Sequence, residues 1–309
     1  MNTKLTEFHS EEKREILEVF RTIPYMDKWI ATLIENFIYT LVEENLCYPD
    51  GKHKCKYRIK YGIKDGEYTE HNVNGEIHKQ VTYVDGVKHG VSKEWYPNGQ
   101  LYSQKYYNLG KINGEYLSWY LREDEHSDTC QLSIRETYVE DKMHGECMSW
   151  YPTGQLQIQA TYVNGHKCGP YKRWFDNGYP YIQTTYIEGN NGASFMRGVL
   201  ERVGYVADKV HGEYKEWYSN GHLWKQTTYT LGKLDGEYKT YYNNGQLSTQ
   251  TTYTLGKCNG QHKTWYRSGK LETQSTYTLG NLHGKLKRWS EQGVLIEDKV
   301  YDNGVEVRN

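Results

Sequence analysis

The 309-residue chain is short of what a thick aliphatic core is made from: only 37% of it is hydrophobic, with 5 Phe and 6 Pro against 31 Tyr and 9 Trp. Such a composition suits a thin structure that buries ring faces and leaves hydroxyls near water. Charge of one sign is also missing. With 38 basic and 39 acidic residues the net charge is −1, which excludes the basic surface that general nucleic-acid binding needs. No apolar run reaches the length of a membrane span; the richest, Trp29 to Val42, is short and contains Glu35. No secretory segment is seen either, since Glu7, Glu11 and Glu12 come early and no apolar region follows, so the expected location is the cytoplasm. Six cysteines are scattered with no Cys-x-x-Cys pair, so zinc and dithiol chemistry lack their spacing and free thiols are expected. There is no glycine-rich phosphate loop before a helix and no nucleophile–base set. A non-catalytic chain without metal, cofactor or small-molecule substrate is expected.

What is present is repetition. Aligned on one glycine, the chain reads GVSKEWYPNGQL from Gly90, GECMSWYPTGQL from Gly145, GEYKEWYSNGHL from Gly212 and GEYKTYYNNGQL from Gly236, with related segments at Gly66, Gly114, Gly169, Gly260 and Gly284. Most spacings are 24 residues; two are longer, 31 from Gly114 and 43 from Gly169, which places insertions near 121–130 and 190–205. That makes nine units, preceded by a degenerate half-unit from Cys47. Each unit reads as one β-hairpin. A Tyr/Trp-rich half leads to Asn-Gly at Asn74, Asn98, Asn177, Asn220 and Asn244, which is expected to form a two-residue type I′ turn. A Leu/Gln/Thr/Tyr half follows, and a second turn of the form GKLDG (from Gly232) leads onward.

With Asn98-Gly99 as the loop, Tyr96 faces Leu101 and Lys93 faces Gln104. Alternation then gives one face to Tyr214, Tyr218, Leu223 and Tyr229, and the other to Glu213, Lys215, Trp217, Gln226 and Thr228. The N-terminal segment differs. Residues 10–21 and 27–44 carry apolar residues at helical spacing (Ile16, Leu17, Phe20; then Trp29, Leu33, Phe37, Leu41 beside Ile30, Ile34, Ile38, Val42). Residues 1–46 are therefore expected to form a small α-helical cap, and residues 47–309 an elongated, all-β, antiparallel hairpin ribbon, on the order of 90 Å long at about 10 Å per hairpin.

The pattern G-E-Y-x-x-W-Y-x-N-G-Q-L…Y-x-x-G-K-x-x-G resembles the variant MORN repeat over about residues 47 to 309. This repeat type also occurs in bacterial proteins named as antitoxin components and in giant DNA virus proteins. The long Tyr-rich array after a helical segment is most similar to the MORN-repeat proteins of marseillevirus-like viruses. The F-box that some of those carry is not found here, where only Ile23-Pro24 matches its opening. The resemblance implies a hairpin ribbon used for protein association, sometimes near membranes, and implies no enzyme.

The candidate partner-binding residues are Trp95, Trp119, Trp150, Trp174, Trp217, Trp265 and Trp289, rings on a polar face, with Lys172, Lys215, Lys239 and Lys263 of the cation stripe beside them. For any single Trp, covering the sheet and packing on neighbouring Lys stems is the slightly better reading; an exposed row of them favours a partner. A protein partner is expected first, an anionic lipid surface through the Lys stripe or the helix at 27–44 second, and carbohydrate stacking third. His89, His144, His211 and His283 precede repeat glycines, but Asp65, Asn113, Asp235 and Asn259 hold the same position elsewhere, so a turn role is expected over metal ligation. The repeated glutamates (Glu67, Glu115, Glu146, Glu213, Glu237) read as solvated charge, not as an acid–base pair.

Overall fold

The computed structural model describes residues 42–60, 63–121, 130–187 and 209–307. These residues divide into two compact units, one within 1–130 and 138–141, the other comprising 131–137 and 142–309. Every regular element among the described residues is a β-strand, and no helix occurs among them. The first unit holds β1 (Val42–Cys47), β2 (His53–Lys60), β3 (Ile63–His71), β4 (Ile77–Val84), β5 (Val87–Trp95), β6 (Leu101–Asn108) and β7 (Lys111–Trp119); β8 (Leu132–Val139) is divided between the units. The second holds β9 (Lys142–Met143), β10 (Gly145–Trp150), β11 (Leu156–Val163), β12 (His166–Trp174), β13 (Pro180–Tyr186), β14 (Gly212–Trp217), β15 (Leu223–Thr230) and β16 (Lys233–Tyr241). It continues with β17 (Leu247–Thr254), β18 (Lys257–Trp265), β19 (Leu271–Thr278), β20 (Asn281–Leu282), β21 (Gly284–Trp289), β22 (Leu295–Asp302) and β23 (Val305–Val307). Within each unit consecutive strands pair antiparallel, hairpin after hairpin.

The expected register holds along the strand bodies: Lys93 faces Gln104 and Glu94 faces Ser103. It fails at the tip, where Trp95 and not Tyr96 faces Leu101. The cause is the turn. Gly99 donates its N–H to the Tyr96 carbonyl at 2.9 Å, and Gly99 alone of the Asn98-Gly99 pair has positive φ, +79°. This is a type I turn closed by a left-handed glycine, which adds one residue and a bulge, and it replaces the expected type I′ turn. Asn98 uses its side chain instead: its Oδ1 accepts the Gln100 N–H at 3.2 Å. The type I′ turns lie at the opposite ends of the hairpins. There Asp85-Gly86, Leu109-Gly110, Leu231-Gly232, Leu255-Gly256 and Leu279-Gly280 all have positive φ at both residues, with Leu at +47° to +53°. A leucine in that conformation costs about 1 kcal/mol.

Within each unit, neighbouring hairpins are fastened to one another at their turn edges. At the longer turns Tyr48, Tyr96, Tyr151, Tyr218, Tyr242 and Tyr266 donate their hydroxyls to backbone carbonyls 23 residues ahead, at 2.8–3.0 Å. In the same direction, Asn220 and Asn244 donate Nδ2 to the carbonyls of Asn243 and Arg267. At the I′ turns the glycine N–H of Gly86, Gly110, Gly232, Gly256 and Gly280 donates to a carbonyl of the preceding hairpin at 2.7–2.9 Å. The left-handed residue beside it is held as well. Leu231, Leu255 and Leu279 donate their N–H groups to His211, Asp235 and Asn259. The Asp/Asn/His position therefore does have a turn role, but it serves the next turn rather than its own.

The core is a row of small residues under rings. Val81, Ala160, Thr184, Thr227, Thr251 and Ser275 are at most 3% exposed. Thr227 faces Tyr214 on one side and Tyr238 on the other; Thr251 faces Tyr238 and His262. The flanking rings meet edge-to-face across each hairpin, at 5.7 Å for Tyr214–Tyr229, 5.6 Å for Tyr238–Tyr253 and 5.8 Å for His262–Tyr277. Rings thus flank Thr227 and Thr251 from both neighbouring strands, while Val81 and Ala160 have a ring on one side and Ser92 or Cys147 on the other, and the same-face contacts stabilise the pairing.

Two expectations need correction. The helical cap gives way at Val42, which opens strand β1; residues 1–41 lie outside the described residues. β1 pairs with β2 across Tyr48-Pro49-Asp50-Gly51, so the segment read as a half-unit is a full hairpin that begins before Cys47. The count of nine units is also not carried by the structure. The unit at Gly114 contributes β7, but residues 122–129 lie outside the described residues, as do residues 188–208, within which the second insertion, near 190–205, falls.

Thr227 supplies a test of this core. Its hydroxyl oxygen is buried without a partner, and Val81 fills the same position in the β3–β4 hairpin. Thr227→Val is expected to raise stability by up to about 1 kcal/mol in urea unfolding, because an unsatisfied polar atom is removed at constant shape. Thr184 donates to the Glu213 carbonyl at 3.2 Å, so Thr184→Val is expected to lose about 1 kcal/mol.

Candidate interaction face

Alternation puts the Tyr rings and small core residues on one face and the Glu, Lys, Gln and Thr rows on the other, as expected from the sequence. In the second unit two rows cross the strands of the polar face. One runs Glu146, Thr161, Pro170, Thr185, Glu213, Thr228, Glu237, Thr252; the other runs Met148, Gln159, Lys172, Gln183, Lys215, Gln226, Lys239, Gln250. Like positions recur every second strand, about 10 Å apart.

These rows form a bonded lattice. Glu213 receives Lys215 Nζ at 2.8 Å and Gln226 Nε2 at 3.0 Å; Glu237 receives Lys239 at 2.9 Å and Gln250 at 2.7 Å. Gln159 reaches Glu146 at 2.9 Å, and Gln80 bonds Glu67 in the first unit. The repeated glutamate is thus the acceptor for the glutamine across the hairpin, and at Glu213 and Glu237 also for the lysine two residues on. The hydrogen bond from Lys215 holds the Glu213 carboxyl below the ordinary carboxylate range, against the opposing effect of partial burial; Lys239 does the same for Glu237.

The four candidate lysines therefore fall into two kinds. Lys215 and Lys239 are paired by their own glutamates. Lys172 and Lys263 make no ion pair or side-chain hydrogen bond among the described residues, because Pro170 and Gln261 stand where Glu would be. The seven candidate tryptophans, Trp95 to Trp289, are all half-buried and end the first strand of their hairpins. The backbone carbonyls of Trp119, Trp174, Trp265 and Trp289 receive the tyrosine hydroxyls of the preceding hairpins. Their place is thus the rim beside the longer turns rather than the middle of the face. Trp224, outside the row, is 39% exposed and lies 6.3 Å from the Tyr218 ring.

The thiols are free at all six cysteines. Burial, with Glu136 beside it, pushes the Cys147 thiol up to about 12, so it is an inert packing group. Among the described residues no cluster of His, Cys, Asp and Glu is arranged to hold a metal ion, and no helix is long and apolar enough to cross a membrane. One depression of about 320 Å³ opens on the polar face, lined by Pro170, Lys172, Gln183, Thr184, Thr185, Glu213 and Lys215. Nothing in the repeat pattern pointed to it except the departure of GPY at Gly169 from GEY elsewhere.

The family model described as "MORN repeat variant" matches residues 88–109, 143–164, 210–230, 234–254 and 259–278, five segments that each span one hairpin. The hairpin at Gly169 is not among them. No curated protein matches the chain. Among solved structures the chain is similar to a crystal structure of TcdB2-TccC3-Cdc42, at 11% identity over 84% of this chain and 15% of that chain, with a TM-score of 0.17. It is also similar to TcdB2-TccC3 without its hypervariable C-terminal region, at 12% identity over 94% of this chain and 15% of that one, with a TM-score of 0.18. Likenesses at such TM-scores carry no structural argument, and the chain spans about 15% of the length of those two structures.

The charge lattice makes a pH prediction. A carboxyl held low when folded contributes stability above its unfolded titration, and that contribution is lost as pH falls through the folded value. The Glu237 carboxyl is expected to titrate below the ordinary carboxylate range in carbon-detected NMR. In Lys239→Met the midpoint is expected to rise towards the ordinary value, and the added stability between neutral and acid pH to shrink. The pair is solvent-exposed, so the effect is small and weakens with salt.

Proposed function

We propose that this array of variant MORN repeats is a non-catalytic scaffold for a protein partner, working in the cytoplasm and engaging that partner through its polar face. The observation that carries the reading is the regularity of that face. A Glu, Lys and Gln set returns in the same register in the β14–β15 and β16–β17 hairpins, fixed by its own hydrogen bonds, and the Glu–Gln bond recurs at Glu67 and Glu146. A surface so preorganised presents donors and acceptors at a constant interval without a further ordering cost, as an extended protein partner requires. The half-buried tryptophans along the rim supply the apolar anchors that interfaces concentrate. Five matches to the variant MORN repeat agree, since such repeats are commonly protein- or membrane-interaction modules. Six free thiols agree with a reducing compartment.

Membrane attachment through the lysine stripe draws less support. Lys215 and Lys239 are already neutralised by Glu213 and Glu237, which leaves little of the clustered positive charge that anionic headgroups select.

Photo-crosslinking from the polar face tests the proposal. A photoreactive residue is placed at exposed Thr228 or Thr252, with exposed Leu255 at a turn as the control. A discrete, stoichiometric protein adduct from Thr228 and Thr252, weakened when Trp150, Trp174 and Trp217 are changed to Ala in a folded chain, is the expected result. Absence of any discrete adduct from the polar face, together with salt-sensitive binding to vesicles containing phosphatidylserine, contradicts it.

A further inference from the structure

We infer that the depression on the β12–β13–β14 polar face is a carboxylate-binding site, created where the glutamate of the repeat is replaced by Pro170. The filled neighbours show what the socket holds. In the β14–β15 hairpin the Glu213 carboxylate takes a hydrogen bond from Lys215 and another from Gln226; in the β16–β17 hairpin Glu237 takes the same two from Lys239 and Gln250. The β12–β13 hairpin keeps both donors in the same register. Lys172 faces Gln183, as Lys215 faces Gln226 and Lys239 faces Gln250. Only the carboxylate is gone, because residue 170 is proline.

Three observations mark the place as an open socket. Lys172 and Gln183 make no side-chain hydrogen bond or ion pair among the described residues. A pocket of about 320 Å³ lies over them, and Pro170, Thr185 and Lys215 also line it. Its charges are Lys172 and Lys215 against Glu213, and Glu213 is already engaged by Lys215 and Gln226. One positive charge is therefore left over, where the donor geometry is that of a carboxylate site. Two other hairpins also lack the glutamate beside a lysine, with Gln261 before Lys263 and Val91 before Lys93, but the depression described above lies at the Pro170 hairpin. The proline ring is too short to reach the lysine and offers no acceptor. Proline is tolerated there because the pairing of β11 with β12 shifts next to it, between Ala160 and Tyr162, at the bulge that each repeat glycine makes.

The occupant is a carboxylate, either an Asp or Glu side chain of a protein or a free small carboxylate. The site stands on the repeat geometry alone and does not depend on the scaffold reading.

The test titrates the full chain with sodium acetate, exchanged against sodium chloride at constant ionic strength, and in a second arm with a capped glutamate-containing tripeptide. NMR reads the Gln183 side-chain amide and the Lys172 ammonium. Gln250 and Lys239, whose socket is filled, serve as the internal control. Saturable shifts are expected at Gln183 and Lys172 and not at Gln250. Pro170→Glu, which supplies the carboxylate from within, is expected to weaken the response about tenfold or more, whereas Pro170→Ala keeps it and Lys172→Gln reduces it. Glutamate at this position is what the fold already accepts at 213 and 237, so the variant tests occupancy and not folding. Tighter binding of the tripeptide than of acetate assigns the site to a protein side chain; equal binding assigns it to a free carboxylate. Equal shifts at Gln183 and Gln250, an unchanged response in Pro170→Glu, or no response to either probe overturns the proposal.

Discussion

A hairpin sheet whose core is one row of small residues under rings has little to lock one hairpin to the next, so the hydrogen bonds between successive turns carry that task. Backbone pairing fixes register along the strands. It leaves the turn edges, where each hairpin reverses, with polar groups that need partners. Here each edge has its own solution. At the longer turns a tyrosine hydroxyl and an asparagine amide reach forward to carbonyls of the next hairpin. At the shorter turns a glycine N–H and the N–H of a left-handed residue reach back. The second arrangement also explains how leucine is tolerated at positive φ in Leu231, Leu255 and Leu279: the conformation exposes an N–H that Asp, Asn or His of the preceding hairpin accepts. That offsets part of the steric cost.

The polar face follows from the same repetition. Where a hairpin carries Glu, Lys and Gln in this register, as at Glu213 and Glu237, the one glutamate organises the lysine and the glutamine beside it. The charge is then largely internal, which fits the near-neutral net charge of −1 better than a field for capturing anions at a distance. A departure at a single position, as at Pro170, changes the local chemistry while the strands stay in place.

Much of this was legible in the sequence. The glycine spacing, the two turns per unit and the sorting of Tyr from Glu/Lys/Gln faces all come from period-two alternation and turn chemistry, and Lys93 does face Gln104. The turn types lie at the opposite ends of the hairpins from those the Asn-Gly pairs suggest. Asn-Gly is a strong signal for φ > 0 at both residues, but the asparagines here serve through their side chains, and leucine, which no propensity places there, takes the left-handed positions. Val42 falls on a helical stripe in the sequence because strand β1 is short and follows an apolar run, whereas the match of Tyr48-Pro49-Asp50-Gly51 to Tyr96-Pro97-Asn98-Gly99 marks a full hairpin. For the candidate site, the lysines and tryptophans were visible as rows. Their pairing was not, since whether Lys172 or Lys215 is free depends on what stands two residues before it and on the partner strand.

The central claim is that forward hydrogen bonds at the turn edges hold successive hairpins together. Tyr242 and Tyr253 allow the most direct measurement. The Tyr242 hydroxyl donates to the Trp265 carbonyl at 2.8 Å, whereas Tyr253 contributes its ring to the contact with Tyr238 and its hydroxyl makes no hydrogen bond among the described residues. Urea unfolding of Tyr242→Phe is expected to show a loss of about 1 kcal/mol, with faster amide exchange confined to the hairpins on either side, while Tyr253→Phe is neutral. Equal and negligible effects of the two substitutions would contradict the claim and leave backbone pairing and ring packing as the whole of what joins one hairpin to the next.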